Sequence, residues 1–144
     1  MDVHEPDIRS YNMSKIRSKD TKPEMLVRKF LFANGFRYSL HSNKLPGKPD
    51  IVLRKYKAVI FVHGCFWHGH VGCSYFVVPK TRTKWWLDKI SGNIERDKNI
   101  LTQIVTKGWK VITIFECELK SSVRDKTLNS LVNKLIKLRV GGKK

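Results

Sequence analysis

Residues 45–63 read LPGKPDIVLRKYKAVIFVH, and this stretch decides the fold. Ala58 to Val62 is a continuous apolar run, AVIFV, the pattern of a strand buried on both faces at the centre of a sheet. Asp50-Ile51-Val52-Leu53 opens a shorter strand before it, and Arg54-Lys55-Tyr56-Lys57 supplies the turn between them. The loop Leu45-Pro46-Gly47-Lys48-Pro49 is rich in turn formers and delivers an acid, Asp50, to the strand start.

Working outward, Thr21-Lys22-Pro23-Glu24 has the T-x-x-E form of a capping box, with proline tolerated in the first turn. Met25, Leu26, Val27, Phe30, Leu31 and Phe32 follow, and Gly35 is a natural stop. Phe36 to Leu40 is a short strand. Trp109 to Phe115, WKVITIF, is a further buried strand. Between them Lys84 to Lys107 is helical, with Leu87, Ile90, Ile94, Leu101, Ile104 and Val105 on one face. Asp97 falls in the middle of that face, where an acid is costly unless paired. A last helix covers Lys126 to Arg139, and residues 140–144 form a loose tail. Helix, strands, helix, strand, helix is an α/β order: a mixed sheet flanked by helices, in a single domain over 1–144.

The 144 residues carry 29 Lys and Arg against 12 Asp and Glu, a formal charge of +17. That excess points to a polyanionic partner. Nucleic acid fits better than a membrane surface, because no long basic amphipathic helix stands out. No apolar run is long enough to cross a bilayer, and MDVHEPDIRS lacks a secretory apolar region. Cytoplasm is the expected location.

Residues 63–73, HGCFWHGHVGC, gather three histidines, two cysteines and an adjacent Phe-Trp pair. Cys65, His70 and Cys73 give C-x4-H-x2-C, and Cys117 lies just past the strand ending at Phe115. Cys3His is a complete tetrahedral zinc set and uses all three cysteines. Three ordinary reduced thiols are the alternative. A structural zinc would pin loop 64–74 against the strand end.

An acid at a strand start, a turn and a buried strand resemble the core of restriction-type nucleases. The acid-x-lysine pair usual on the following strand is missing, and Phe61-Val62-His63 stands there instead. Read together, Ser10…Asn12-Met13, Asp20-Thr21…Glu24, LPGKPDIVL, AVIFVHGCFWHGH, VPKTRTKWW, NIERD and GWKV…ECEL resemble the very-short-patch repair (Vsr) endonucleases. Those bacterial enzymes nick DNA beside the T:G mismatch left when 5-methylcytosine deaminates.

The resemblance implies a restriction-endonuclease-like fold and a set of roles. Asp50 would be the Mg²⁺ ligand, joined by the backbone carbonyl of Val62, and His68 the general base. His63, Glu24 and Asp97 would hydrogen-bond water around the ion or orient the histidines. Cys65, His70, Cys73 and Cys117 would hold structural Zn²⁺. Phe66, Trp67 and Trp86 would enter the helix beside the mismatch. An N-terminal arm over 1–20, with Arg9, Met13, Lys15, Arg17 and Lys19, would clamp the DNA. The partners implied are duplex DNA with a T:G mismatch, a functionally linked cytosine-5 methyltransferase and other repair proteins. The chain would act as a monomer at the bacterial nucleoid.

The residue types suit these roles chemically. Phosphodiester hydrolysis needs a cation for the developing charge and a base near neutral pKa. Apolar wedges unstack a duplex most cheaply where pairing is already imperfect. Plainer readings stand beside each. Glu24 completes a capping box, Asp97 pairs with an arginine, His63 is a satisfied strand-end residue, His68 an unused loop residue, and Trp86 belongs to the core. Two alternatives to mismatch nicking remain: a nuclease of the same chemistry without mismatch selectivity, and a non-catalytic, zinc-stabilised DNA-binding protein.

Overall fold

The computed structural model describes residues 20–70, 73, 74 and 76–142. The arm residues Arg9, Met13, Lys15, Arg17 and Lys19 lie outside these. Helix α1 spans Lys22–Ala33, β1 Ser39–Leu40, β2 Ile51–Leu53, β3 Ala58–His63, α2 Thr83–Thr106, β4 Lys110–Phe115 and α3 Arg124–Gly142. The sheet order is β1-β2-β3-β4. The first two pairings are antiparallel, and β3 pairs β4 in parallel through the α2 crossover. This is the mixed sheet flanked by helices that the sequence implies.

Alternation along β3 divides the interior in two. Ala58 and Ile60 face a cluster with Val27 and Leu31 of α1 and Leu128, Leu131 and Leu135 of α3. Val59 and Phe61 face the other way, into a smaller cluster with Ile104 and Ile100 of α2. Two helices therefore cover one face and one helix the other, which explains why AVIFV lacks a polar position.

Both strands that follow a helix begin later than expected, for one reason. Phe36 N–H donates to the Leu31 carbonyl (3.0 Å) and Gly35 N–H to that of Phe32 (3.1 Å). Trp109 and Gly108 repeat the pattern on Ile104 (3.3 Å) and Val105 (2.9 Å). These are Schellman closures, with glycine at positive φ and a hydrophobic residue folded back onto the last turn. Phe36 and Trp109 thus finish helices. They do not start strands.

The apolar stripe of α2 is narrower than its sequence implies. Leu87, Leu101 and Val105 are exposed, whereas Ile90 and Ile104 are buried. A helix of 24 residues is about 36 Å long and overhangs a sheet whose longest strands have six residues. Only part of the stripe finds partners: Ile100 and Ile104 over Val59 and Phe61, and Ile90 and Ile94 under the Gly69 loop. Helix α3 runs on to Gly142, into the stretch expected to be a loose tail. Glycine weakens a helix by only about 1 kcal/mol relative to alanine, which does not force an end.

Candidate active site

The carboxyl ends of β3 and β4 and the start of β2 meet at one cleft of about 1240 Å³, lined by Glu24, Asp50, Val62, His63, His68 and Asp97 among others. All five expected catalytic side chains therefore come together.

Asp50 stands immediately before β2. Its Oδ2 accepts the Val62 N–H at 2.7 Å. The β2–β3 register pairs Ile51 with Ile60, so two positions further Pro49 falls opposite Val62. An antiparallel pair exchanges two N–H···O bonds, and proline has no N–H to give. Pro49 therefore cannot donate to the Val62 carbonyl. Burial is the main force on Asp50 and pushes its pKa up to about 6. The Val62 N–H and the nearby His41 and His68 oppose that rise, while Glu24 adds to it.

His63, the last residue of β3, lies face to face with His68, ring centroids 3.6 Å apart and planes within 2°. Asp97 Oδ2 sits 2.7 Å from His68 Nδ1. An ionised carboxylate only accepts, so Nδ1 carries the proton and Nε2 is left basic. Asp97 lies midway between the buried Ile90 and Ile104 on α2, so this histidine is what an acid on an apolar stripe is for. Among the described residues its recorded ion pair is with His68 and not with an arginine. Burial, reinforced by His68, lowers His63 to about 4 against a weaker pull from Asp97. His63 is a neutral ring at cellular pH.

Glu24 is 1% exposed and takes part in the cap, though one residue earlier than the usual box: its Oε1 accepts the Asp20 N–H at 3.0 Å. Its Oε2 faces Arg28 at 3.3 Å and His41 Nε2 at 2.7 Å. Glu24 thus takes part in the helix cap and also lines the cleft.

Beside the histidines, the ligand atoms of Cys65, His70, Cys73 and Cys117 lie within 4.8 Å of one another. This Cys/His cluster can hold a metal ion, and its donor set suits zinc. Burial raises Cys65 to about 12 and raises Cys117 as well, so without a cation these thiols stay protonated. The His70 ring stacks on Phe115 at 3.9 Å, and Phe115 meets His63 edge-on at 5.7 Å. One ring therefore joins the two centres.

Phe66, Trp67 and Trp86 form a half-buried cluster with centroid distances of 5.2, 5.4 and 5.9 Å. None belongs to either core cluster. Gly69, at φ +58°, lets the loop sit on α2: a Cβ there would lie 2.5 Å from Ile94 and 2.8 Å from Ile90.

Sequence reasoning missed three supports. Asn93 Nδ2 donates to the Trp67 carbonyl at 2.8 Å, and Glu116 accepts the Cys65 N–H at 3.1 Å. Both lie within the NIERD and ECEL stretches, where a polar residue beside the site was the available signal. The third, His41, has no motif around it.

Comparison with known proteins decides the family. The model of the family described as DNA mismatch endonuclease Vsr matches residues 1–74. The chain is 43% identical to the DNA mismatch endonuclease Vsr of Escherichia coli over 119 residues, 83% of this chain and 76% of that protein.

The chain belongs to the Vsr family.

Two further relatives are type II nicking enzymes. V.NmeAIP of Neisseria meningitidis is 50% identical over 135 residues, 93% of this chain and 96% of its own. V.XorIIP of Xanthomonas oryzae is 46% identical over 114 residues, 79% and 83% of the two chains. As a Vsr-family member the chain is an endodeoxyribonuclease with a restriction-endonuclease-like core. Among the described residues no helix is long and apolar enough to cross a membrane.

Proposed function

We propose that the chain nicks duplex DNA on the 5′ side of the mispaired T of a T:G mismatch, leaving 3′-hydroxyl and 5′-phosphate ends. The observation that carries this reading is His68, held by Asp97 with Nε2 basic, in the cleft that Asp50 lines.

A partly buried carboxylate with a raised pKa, together with a carbonyl that faces a proline with no N–H to give, is a donor pair suited to a hard divalent cation. Asp50 and the Val62 carbonyl would hold Mg²⁺. Bound there, the ion supplies positive charge to the phosphate as negative charge develops in hydrolysis. His68 Nε2 takes the proton from the attacking water, and Asp97 stabilises the imidazolium that results. His63 stays neutral beneath that ring, so no second positive charge opposes the transfer. Glu24 fixes the cleft wall from α1. Cys65, His70, Cys73 and Cys117 would hold structural Zn²⁺, which anchors the loop bearing Phe66, Trp67 and His68.

Those two aromatics and Trp86 form the wedge. Unstacking a duplex costs a few kcal/mol and least at a mismatch, which supplies the preference for T:G over paired T. Because 5-methylcytosine deamination makes such mismatches, the chain would work downstream of a cytosine-5 methyltransferase, as a monomer on bacterial nucleoid DNA and alongside other repair proteins.

The test is a nicking assay on end-labelled T:G, T:A and C:G duplexes with Mg²⁺, with EDTA and with Asp50→Ala. A Mg²⁺-dependent nick 5′ to the mispaired T, absent in Asp50→Ala, is expected. Equal cutting of all three duplexes would remove the mismatch preference. Tight binding without any cut would replace the enzyme by a binding protein.

A further inference from the structure

His41 joins two acids of the cleft, and no role above requires it. It follows β1 directly, opposite Asp50 in the sheet, and its N–H donates to the Asp50 carbonyl at 3.1 Å. Its Nε2 lies 2.7 Å from Glu24 Oε2. Main chain and side chain of one residue thus tie Asp50 at the edge of β2 to Glu24 on α1.

The backbone here is left-handed, φ 45°. That conformation costs an L-residue about 1 kcal/mol or more, and glycine would turn the chain more cheaply. What histidine supplies over glycine is therefore the imidazole. The short bond to a buried carboxylate is a charge-assisted one, and it offsets the strain. Glu24, 1% exposed, shares the cleft with a second carboxylate. Like charges repel, so two acids stay ionised and inward-facing only where donors hold them.

We propose that His41 is a positioning residue: its imidazole holds the Glu24 carboxylate at a set place beside Asp50, and so prepares the cleft for its divalent cation. This rests on the reading of the cleft as a Mg²⁺ site. An outer partner of this kind typically changes metal affinity by about 10- to 100-fold when removed. DNA affinity in the absence of the cation is untouched.

His41→Gly is the informative variant, because glycine retains the left-handed turn. His41→Gln restores a donor toward Glu24. Mn²⁺ is the probe, its free concentration read by electron paramagnetic resonance on the full chain without DNA. Thermal melting and DNA binding in EDTA are measured in parallel.

Expected are Mn²⁺ binding weakened about tenfold or more in His41→Gly, substantial recovery in His41→Gln, and DNA affinity in EDTA within about twofold of wild type. The Mg²⁺ concentration giving half-maximal nicking rises in step, while the rate at saturating Mg²⁺ holds. Wild-type Mn²⁺ affinity in His41→Gly, or a His41→Gln variant as weak as His41→Gly, would overturn the proposal. Asp50→Ala separates the two levels: Mn²⁺ binding indifferent to it removes the metal reading itself, and the His41 role with it. Asp50-dependent binding that ignores His41 removes only the latter.

Discussion

The imidazole rings of His63 and His68 stack in parallel, centroids 3.6 Å apart. Two imidazolium rings at that distance would repel strongly, so the pair carries at most one positive charge. Burial settles which ring: His63 is held near 4, and Asp97 faces His68. In the proposed reaction the stack is a base with a neutral floor.

Removing the orienting acid should therefore cripple proton transfer and leave the fold standing. Asp97→Asn is expected to slow single-turnover nicking at saturating Mg²⁺ by about 10²- to 10⁴-fold, since the amide no longer fixes the His68 tautomer or stabilises its cation. Its melting temperature should stay close to wild type. A rate within about threefold of wild type would show that Asp97 does not orient a catalytic base.

Asp50 is a stability liability when no cation neutralises it. Its pKa is raised from 3.8 to about 6, so its contribution favours the fold below 3.8 and is lost as pH rises through 6. In EDTA at neutral pH the buried charge costs on the order of 3 kcal/mol. Asp50→Asn keeps an acceptor for the Val62 N–H and should melt several degrees higher than wild type in EDTA at pH ~7.5, with the gap narrowing toward pH ~4.5. The same variant should not nick. Equal melting curves at neutral pH would mean that the Asp50 charge is not desolvated.

Zinc should be present at about one ion per chain. Stripping it with a strong chelator, or Cys117→Ser, should lower the melting temperature by about 10 °C and abolish nicking even with Mg²⁺ restored. Metal analysis by mass spectrometry checks the first point and calorimetry the second. A fully active, zinc-free protein in Mg²⁺ would reduce the quartet to spare thiols.

The wedge makes a prediction of a different kind. Phe66→Ala and Trp86→Ala should lower the T:G over T:A cutting ratio by about 10- to 100-fold while binding to matched duplex changes little, because the aromatic insertion is cheapest at the mismatch. Asn93→Ala, which frees the Trp67 carbonyl, should weaken discrimination in the same direction without touching an aromatic ring. An unchanged ratio in all three variants would place mismatch reading elsewhere.

How much of this could be read from the chain depended on whether the signal was local. AVIFV announced a central strand because both of its faces are covered, and Thr21 with Glu24 announced a helix start. The Cys3His set was legible because zinc chemistry constrains residue type. Asp97 was legible as an anomaly, an acid on an apolar stripe. The exposed Leu87, Leu101 and Val105 could not be foreseen, because a helical period says which residues share a face but not how much sheet lies beneath. His41 was invisible for a related reason. Its meaning comes from a left-handed backbone and from Glu24, 17 residues away, and neither leaves a mark in local sequence.

The loop after β3 has a practical consequence for redesign. In the proposed mechanism the consecutive residues Trp67 and His68 serve one in the wedge and one as the base, and their loop is clamped by Asn93, Glu116 and the Gly69 contact with α2. Side chains attached to one short rigid frame cannot be tuned separately. Transplanting a different wedge into this scaffold would displace the base with it. A change of target is better sought at Trp86, which approaches the same cluster from a separate helix.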